Sequence, residues 1–128
     1  MVELGSGDYI YETTGEDWGN LQDDATYKEA TAVAVDANDN VFVFNRGTHP
    51  MIVFNSEGDI LDTWGHGEFS NPHGITIGPD GSVYTVDNGD HTVKIFTPKG
   101  EKTAELQAER AAMLQAAQDS GHLVIIRG

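Results

Sequence analysis

The chain has no cysteine among its 128 residues, which excludes disulfides, thiolate metal sites and a cysteine nucleophile. Cations are scarce: seven Lys and Arg stand against 21 Asp and Glu, for a formal net charge of -14. So acidic a surface repels phosphate backbones and anionic lipid, so neither nucleic acid nor a membrane is expected as partner. The excess acid favours cationic ligands, although a solvated acidic surface is the commoner reading. No run of about 18 apolar residues occurs. The opening "MVELGSGDYIYETTGEDW" has neither the basic start nor the apolar stretch of a signal peptide, and a cytoplasmic location is expected. What is present, 38% hydrophobic residues with two Trp, four Tyr and five Phe, suits one domain with a modest core.

The strongest positive signal is an internal repeat. "TAVAVDANDNVFVFNRGTHPMIVFNSEGD" from Thr31 lies over "HGITIGPDGSVYTVDNGDHTVKIFTPKGE" from His73 at a constant offset of 42, without a gap. Val41 meets Val83, Gly47 meets Gly89, His49 meets His91, Phe54 meets Phe96 and Gly58 meets Gly100. Each copy reads as short strands separated by Asx- and Gly-rich turns, with "DILDTWG" as a fourth strand of the first. Such spacing predicts a mostly β chain of antiparallel propeller-type blades, at about 31–65 and 73–102. A plain antiparallel sheet or small sandwich is the rival reading.

The ends depart from the repeat. "DYIYE" reads as a lone strand. "EKTAELQAERAAMLQAAQDSG" has helix-forming composition, with Leu106, Met113, Leu114 and Ala117 near one face and Gly121 placed to stop it. The expectation is therefore a partial propeller over 1–102, then a C-terminal α-helix and the short strand "LVIIR" within 103–128. Two blades alone would leave apolar faces open. The helix, a homo-oligomer completing a propeller, or a longer gene product would cover them.

"VAVDANDNVFVFNRG", "FSNPHGITIGPDGSVYTVDNGDHTVKIFTPKGE" and the 42-residue spacing resemble NHL-repeat propellers, and among them the six-bladed peptidyl-α-hydroxyglycine α-amidating lyases. The resemblance covers about residues 5–102. It implies a zinc-dependent lyase that splits a peptide ending in α-hydroxyglycine into a peptide amide and glyoxylate. It places His73 of "PHG" as one of three zinc-binding histidines. It makes the backbone carbonyls of Val33 and Ile75 ligands of a structural calcium, and Arg46 of "FNRG" the arginine that contacts substrate. The other two zinc histidines, the calcium carboxylate and a catalytic tyrosine belong to later blades and have no counterpart here.

Each residue also has a plainer reading. His73 can simply begin a strand, although an imidazole there can face the central channel and reach a metal. Arg46 can clamp a substrate carboxylate bidentately or form a surface ion pair. His49 and His91, equivalent in the two copies, read as structural. His91 with Asp87 and Asp90 reads better as a self-bonded turn than as a metal cluster. "DANDN" lacks the glycine and distant glutamate of an EF-hand and reads as a hairpin turn. Trp64 and Phe69 are expected between blades, and His66 and His122 carry no assignment. Two functions stand side by side: a lyase-like NHL propeller, active if copies assemble and bring three His73 together around zinc, and a non-catalytic NHL module that binds a peptide or protein. A calcium-dependent propeller hydrolase ranks below both.

Overall fold

A computed structural model describes residues 2–15, 18–21 and 26–107 of the chain. Among these every regular element is a β-strand. A hairpin of β1 (Glu3–Ser6) and β2 (Tyr9–Glu12) comes first. Two four-stranded antiparallel sheets follow. The first holds β3 (Ala30–Val35), β4 (Val41–Asn45), β5 (Met51–Phe54) and β6 (Ile60–Trp64). The second holds β7 (Pro72–Ile77), β8 (Val83–Asp87), β9 (Thr92–Phe96) and β10 (Lys102–Gln107). Each sheet runs in chain order as a simple meander, and β3 and β4 of the first lie against β7 of the second.

The turns follow from local chemistry. Asp36 accepts hydrogen bonds from the backbone N–H of Asn38 (2.8 Å) and Asn40 (2.9 Å), closing "DANDN" as an Asx-type turn. Asn55 accepts in the same way from Glu57 and Asp59, and Asp80 from Ser82. The equivalent glycines Gly58 and Gly100 take φ of 90° and 89°, a backbone region that L side chains adopt only with strain.

Burial explains the differing strand patterns. β4 and β5 are buried nearly throughout because both faces of their sheet are covered. Phe42, Phe44, Met51 and Val53 face the second sheet and pack with Val83, Phe96 and the half-buried Ile75, Ile77, Trp64 and Phe69. On the other face Val43, Ile52 and Phe54 pack with Trp18, Val41 and Ile60. Trp18 lies 5.2 Å from Phe54, ring centre to ring centre, much as Trp64 lies 4.9 Å from Phe96. β8 alternates instead: Val83, Thr85 and Asp87 are buried while Tyr84 and Val86 are exposed. Each fully buried Phe or Ile contributes about 1.5–3 kcal/mol, so the inter-sheet aromatic cluster is the principal core.

Two expectations need correction. The C-terminal helix expected from residue 103 gives way to a strand: Lys102–Gln107 pairs antiparallel with β9, from Lys102 opposite Phe96 to Gln107 opposite Thr92. Helix propensity separates residues by only a few tenths of a kcal/mol each. Leaving β9 as a bare edge would forfeit a whole ladder of backbone hydrogen bonds. The rest of that segment, 108–128 with Met113, Leu114, Ala117, Gly121 and "LVIIR", lies outside the described residues. The second correction is small: "YIYE" is no lone strand, because Glu3–Ser6 pairs with it. No helix among the described residues is long and apolar enough to cross a membrane.

Candidate functional site

Meander topology sorts the connections to two ends. In each sheet one end holds the tight turns, 36–40 and 55–59 in the first and 78–82 and 97–101 in the second. They carry Asp36, Asp39, Glu57, Asp59, Asp80 and Glu101 against the cation Lys99. The hydrogen bonds from Ser82 hold the exposed Asp80 carboxyl below its ordinary value. The opposite end holds 46–50, 65–71 and 88–91, and there Arg46, His49, His66, His73 and His91 gather.

At that second end one buried side chain in each sheet organises the loop. Asn45 is fully buried. Its Oδ1 accepts from the N–H of Gly47 (2.7 Å), while its Nδ2 donates to the carbonyls of His49 (2.8 Å) and Pro50 (3.2 Å). Asp87, 42 residues on and equally buried, accepts from the N–H groups of Ser70, Asn71, Gly89 and Asp90. Asp87 thus ties the linker between the sheets to the β8–β9 loop. These bonds are all from backbone N–H groups.

Arg46 is held between the sheets. Its Nε donates to the Pro72 carbonyl at 3.1 Å and its Nη1 pairs with Glu29 at 2.8 Å. Since Pro72 precedes His73, the structure brings Arg46 and the start of β7 to one place. His73 itself is exposed. Val33 is 61% exposed on β3, whereas its equivalent Ile75 on β7 packs into the inter-sheet core. The two edge strands that carry them lie side by side. Of the remaining histidines, the Nδ1 of His66 lies 3.0 Å from the Thr48 carbonyl. His91 has φ 59° and lines a hollow of about 350 Å³ with Val86, Asn88, Val93 and Leu106.

Zinc in catalytic sites takes three protein ligands as a rule, and calcium six to eight oxygens. No group of three or more His, Asp or Glu placed to hold a metal occurs among the described residues. His73 contributes one imidazole, and Val33 and Ile75 stand on the adjacent strands β3 and β7.

Sequence reasoning missed Lys94. It is 4% exposed and occupies the position of Ile52 in the first copy. Its Nζ donates to the Glu68 carbonyl and to Asp90 at 3.1 Å, and lies 5.3 Å from the centre of the Phe69 ring. Burial acts to raise the Asp90 carboxyl, but the hydrogen bonds from Thr92 and Lys94 outweigh it and hold the group below 3.8. A lysine where its repeat partner is isoleucine was the available signal. Nothing in the sequence located the acid and the ring that receive it.

Trp18 was missed as well. "DWGN" repeats "TWGH": Trp18 seats beside Gly58 as Trp64 seats beside Gly100, and Asn20 bonds Asp59 at 2.7 Å. A four-residue longer connection to the next strand hides this match from an ungapped comparison.

Comparison with known proteins bears on the second sheet. No curated protein matches the chain. The NHL repeat model matches residues 69–96, from the aromatic Phe69 at the sheet interface to the end of β9. An NHL repeat is thus found within described residues that are all-β and antiparallel, which supports a propeller-type fold.

Proposed function

We propose that the chain is a non-catalytic, propeller-type NHL module that holds a basic peptide or protein segment. The carrying observation is the acidic turn end of each sheet, where the meander delivers Asp36, Asp39, Glu57, Asp59, Asp80 and Glu101 against Lys99. A net charge of -14 steers cationic partners toward this surface and enhances their association rate. Titration with a pentalysine peptide, followed by calorimetry at low and at physiological salt, tests the reading. Binding is expected that weakens several-fold as salt screens it, with pentaglutamate silent. Equal response to both peptides, or none to either, would sink it.

A second reading is favoured by one contact, that of Arg46 with the Pro72 carbonyl beside His73. It supports the reading by holding Arg46 next to the residue that precedes His73. Under this reading Arg46 binds the carboxylate of a peptidyl-α-hydroxyglycine substrate, and copies of the chain in a ring supply the further zinc ligands. Its calcium would sit at the Val33 and Ile75 carbonyls. Glyoxylate release in the presence of zinc, lost in Arg46→Ala, supports this alternative; no release at any metal loading removes it.

A further inference from the structure

An aromatic plug and two isoleucines join the two sheets. Phe69 lies 4.7 Å from Phe44 of the first and 5.6 Å from Phe96 of the second, ring centre to ring centre, and Ile75 and Ile77 of β7 enter the same cluster. Forty-two residues earlier stand Tyr27, Val33 and Val35. The match is structural as well as sequential. The Lys28 N–H donates to Asn45 as the Ser70 N–H donates to Asp87, and Tyr27 lies 6.4 Å from Phe54, the equivalent of Phe96. Among the described residues Tyr27 meets this one sheet where Phe69 meets two, and Tyr27, Val33 and Val35 are 38%, 61% and 57% exposed.

The second sheet carries the other half of such a joint. Where the first sheet buries Phe42 and Phe44, the second presents Tyr84 and Val86, 37% and 45% exposed among the described residues. Phe69 rests against Phe44 and Gly65. Their equivalents Val86 and Gln107 both line the hollow of about 350 Å³. The second sheet thus has an open seat where the first holds an aromatic ring. No position that the strand register aligns with Val33, Val35, Tyr84 or Val86 is charged, in a chain of net charge -14.

We propose that a second copy of this chain docks head to tail on the first, with its Tyr27 in the hollow and its Val33 and Val35 over Tyr84 and Val86. Such a joint is heterologous and repeats from copy to copy. At the outer margin Trp18 of the second copy fills the seat beside Gly58 that the repeat would give to Leu106, so the joint runs along the inner strands β3, β7 and β8 with Leu106 at its rim. It rests on neither function proposed above.

Sedimentation equilibrium of the whole chain tests the joint. The wild-type mass is expected to rise with concentration above that of one chain. Because each copy carries -14, raising salt is expected to strengthen this association, whereas it weakens binding of a basic peptide. Val33→Asp and Val86→Asp, both at exposed positions, would each bury an unpaired carboxylate in the joint and are expected to weaken association about tenfold or more. An equimolar mixture of the two variants keeps one intact pair of faces, and is expected to give one-to-one dimers and nothing larger. Tyr84→Lys serves in place of Val86→Asp should that chain not fold. Wild-type monomers at every concentration would overturn the proposal, whether the face is covered by the rest of the chain or left open. Dimers that persist in either variant alone would assign a different contact, and association that weakens with salt would assign a charged one; each outcome overturns it equally.

Discussion

Asn45 and Asp87 stand at one position of the repeat and perform one task with different chemistry. Asp87 offers only acceptors and meets four backbone donors, whereas Asn45 must also donate to two carbonyls. Asp87→Ala strands buried N–H groups and is expected to lower stability by about 2–4 kcal/mol. Asp87→Asn keeps one acceptor oxygen and loses less. Asn45→Asp is expected to be the worse of the two exchanges, because a carboxylate would face the carbonyls of His49 and Pro50. Urea denaturation midpoints of the three variants check this order. Asp90 adds a pH dependence. Its carboxyl is held below 3.8, so its contribution is present above that value and is lost as pH falls through the lower folded value. The stability gap between the wild-type chain and Asp90→Asn should accordingly shrink between neutral pH and pH below 3.8.

The turn between β9 and β10 shows how a backbone constraint and an aromatic contact coincide. Gly100 has φ 89°, and a Cβ there would come within 2.5 Å of the Trp64 ring, whose Nε1 donates to the Pro98 carbonyl. Gly67 has φ 79° with nothing within 4 Å of the same added atom. Gly67→Ala is expected to cost about 1 kcal/mol of backbone strain alone, and Gly100→Ala about 2–3 kcal/mol, since Trp64 must also move. A midpoint difference between the two variants isolates the aromatic contact; equal midpoints would deny it. The same turn carries β10, whose composition favours a helix. The constant offset of 42, extended past Gly100, sets Leu106 on Trp64. That alignment was a readable sign of a strand which propensity outvoted.

Net charge acts on the molecule entire. At -14 the compact state repels itself, and raising salt toward 0.15 M, where the screening length is about 8 Å, should raise the denaturation midpoint. The exposed Arg46–Glu29 and Lys102–Glu68 pairs weaken under the same screening but contribute little. A midpoint that fell with salt would show that ion pairs outweigh self-repulsion.

What the chain's order of residues determined by itself was periodic: the 42-residue repeat, the alternation of apolar residues, and the Asx and Gly turns that close each strand pair. These are local properties, set by backbone sterics and by side chains that bond to their own loop. The faces were decided only in three dimensions. Whether Val33 or Ile75 is covered, whether Lys94 finds Asp90 and Phe69, and whether Arg46 reaches Pro72 all depend on which sheet lies opposite. Equivalent positions in a repeat carry the same local instruction, and packing against unlike neighbours gives them different surroundings.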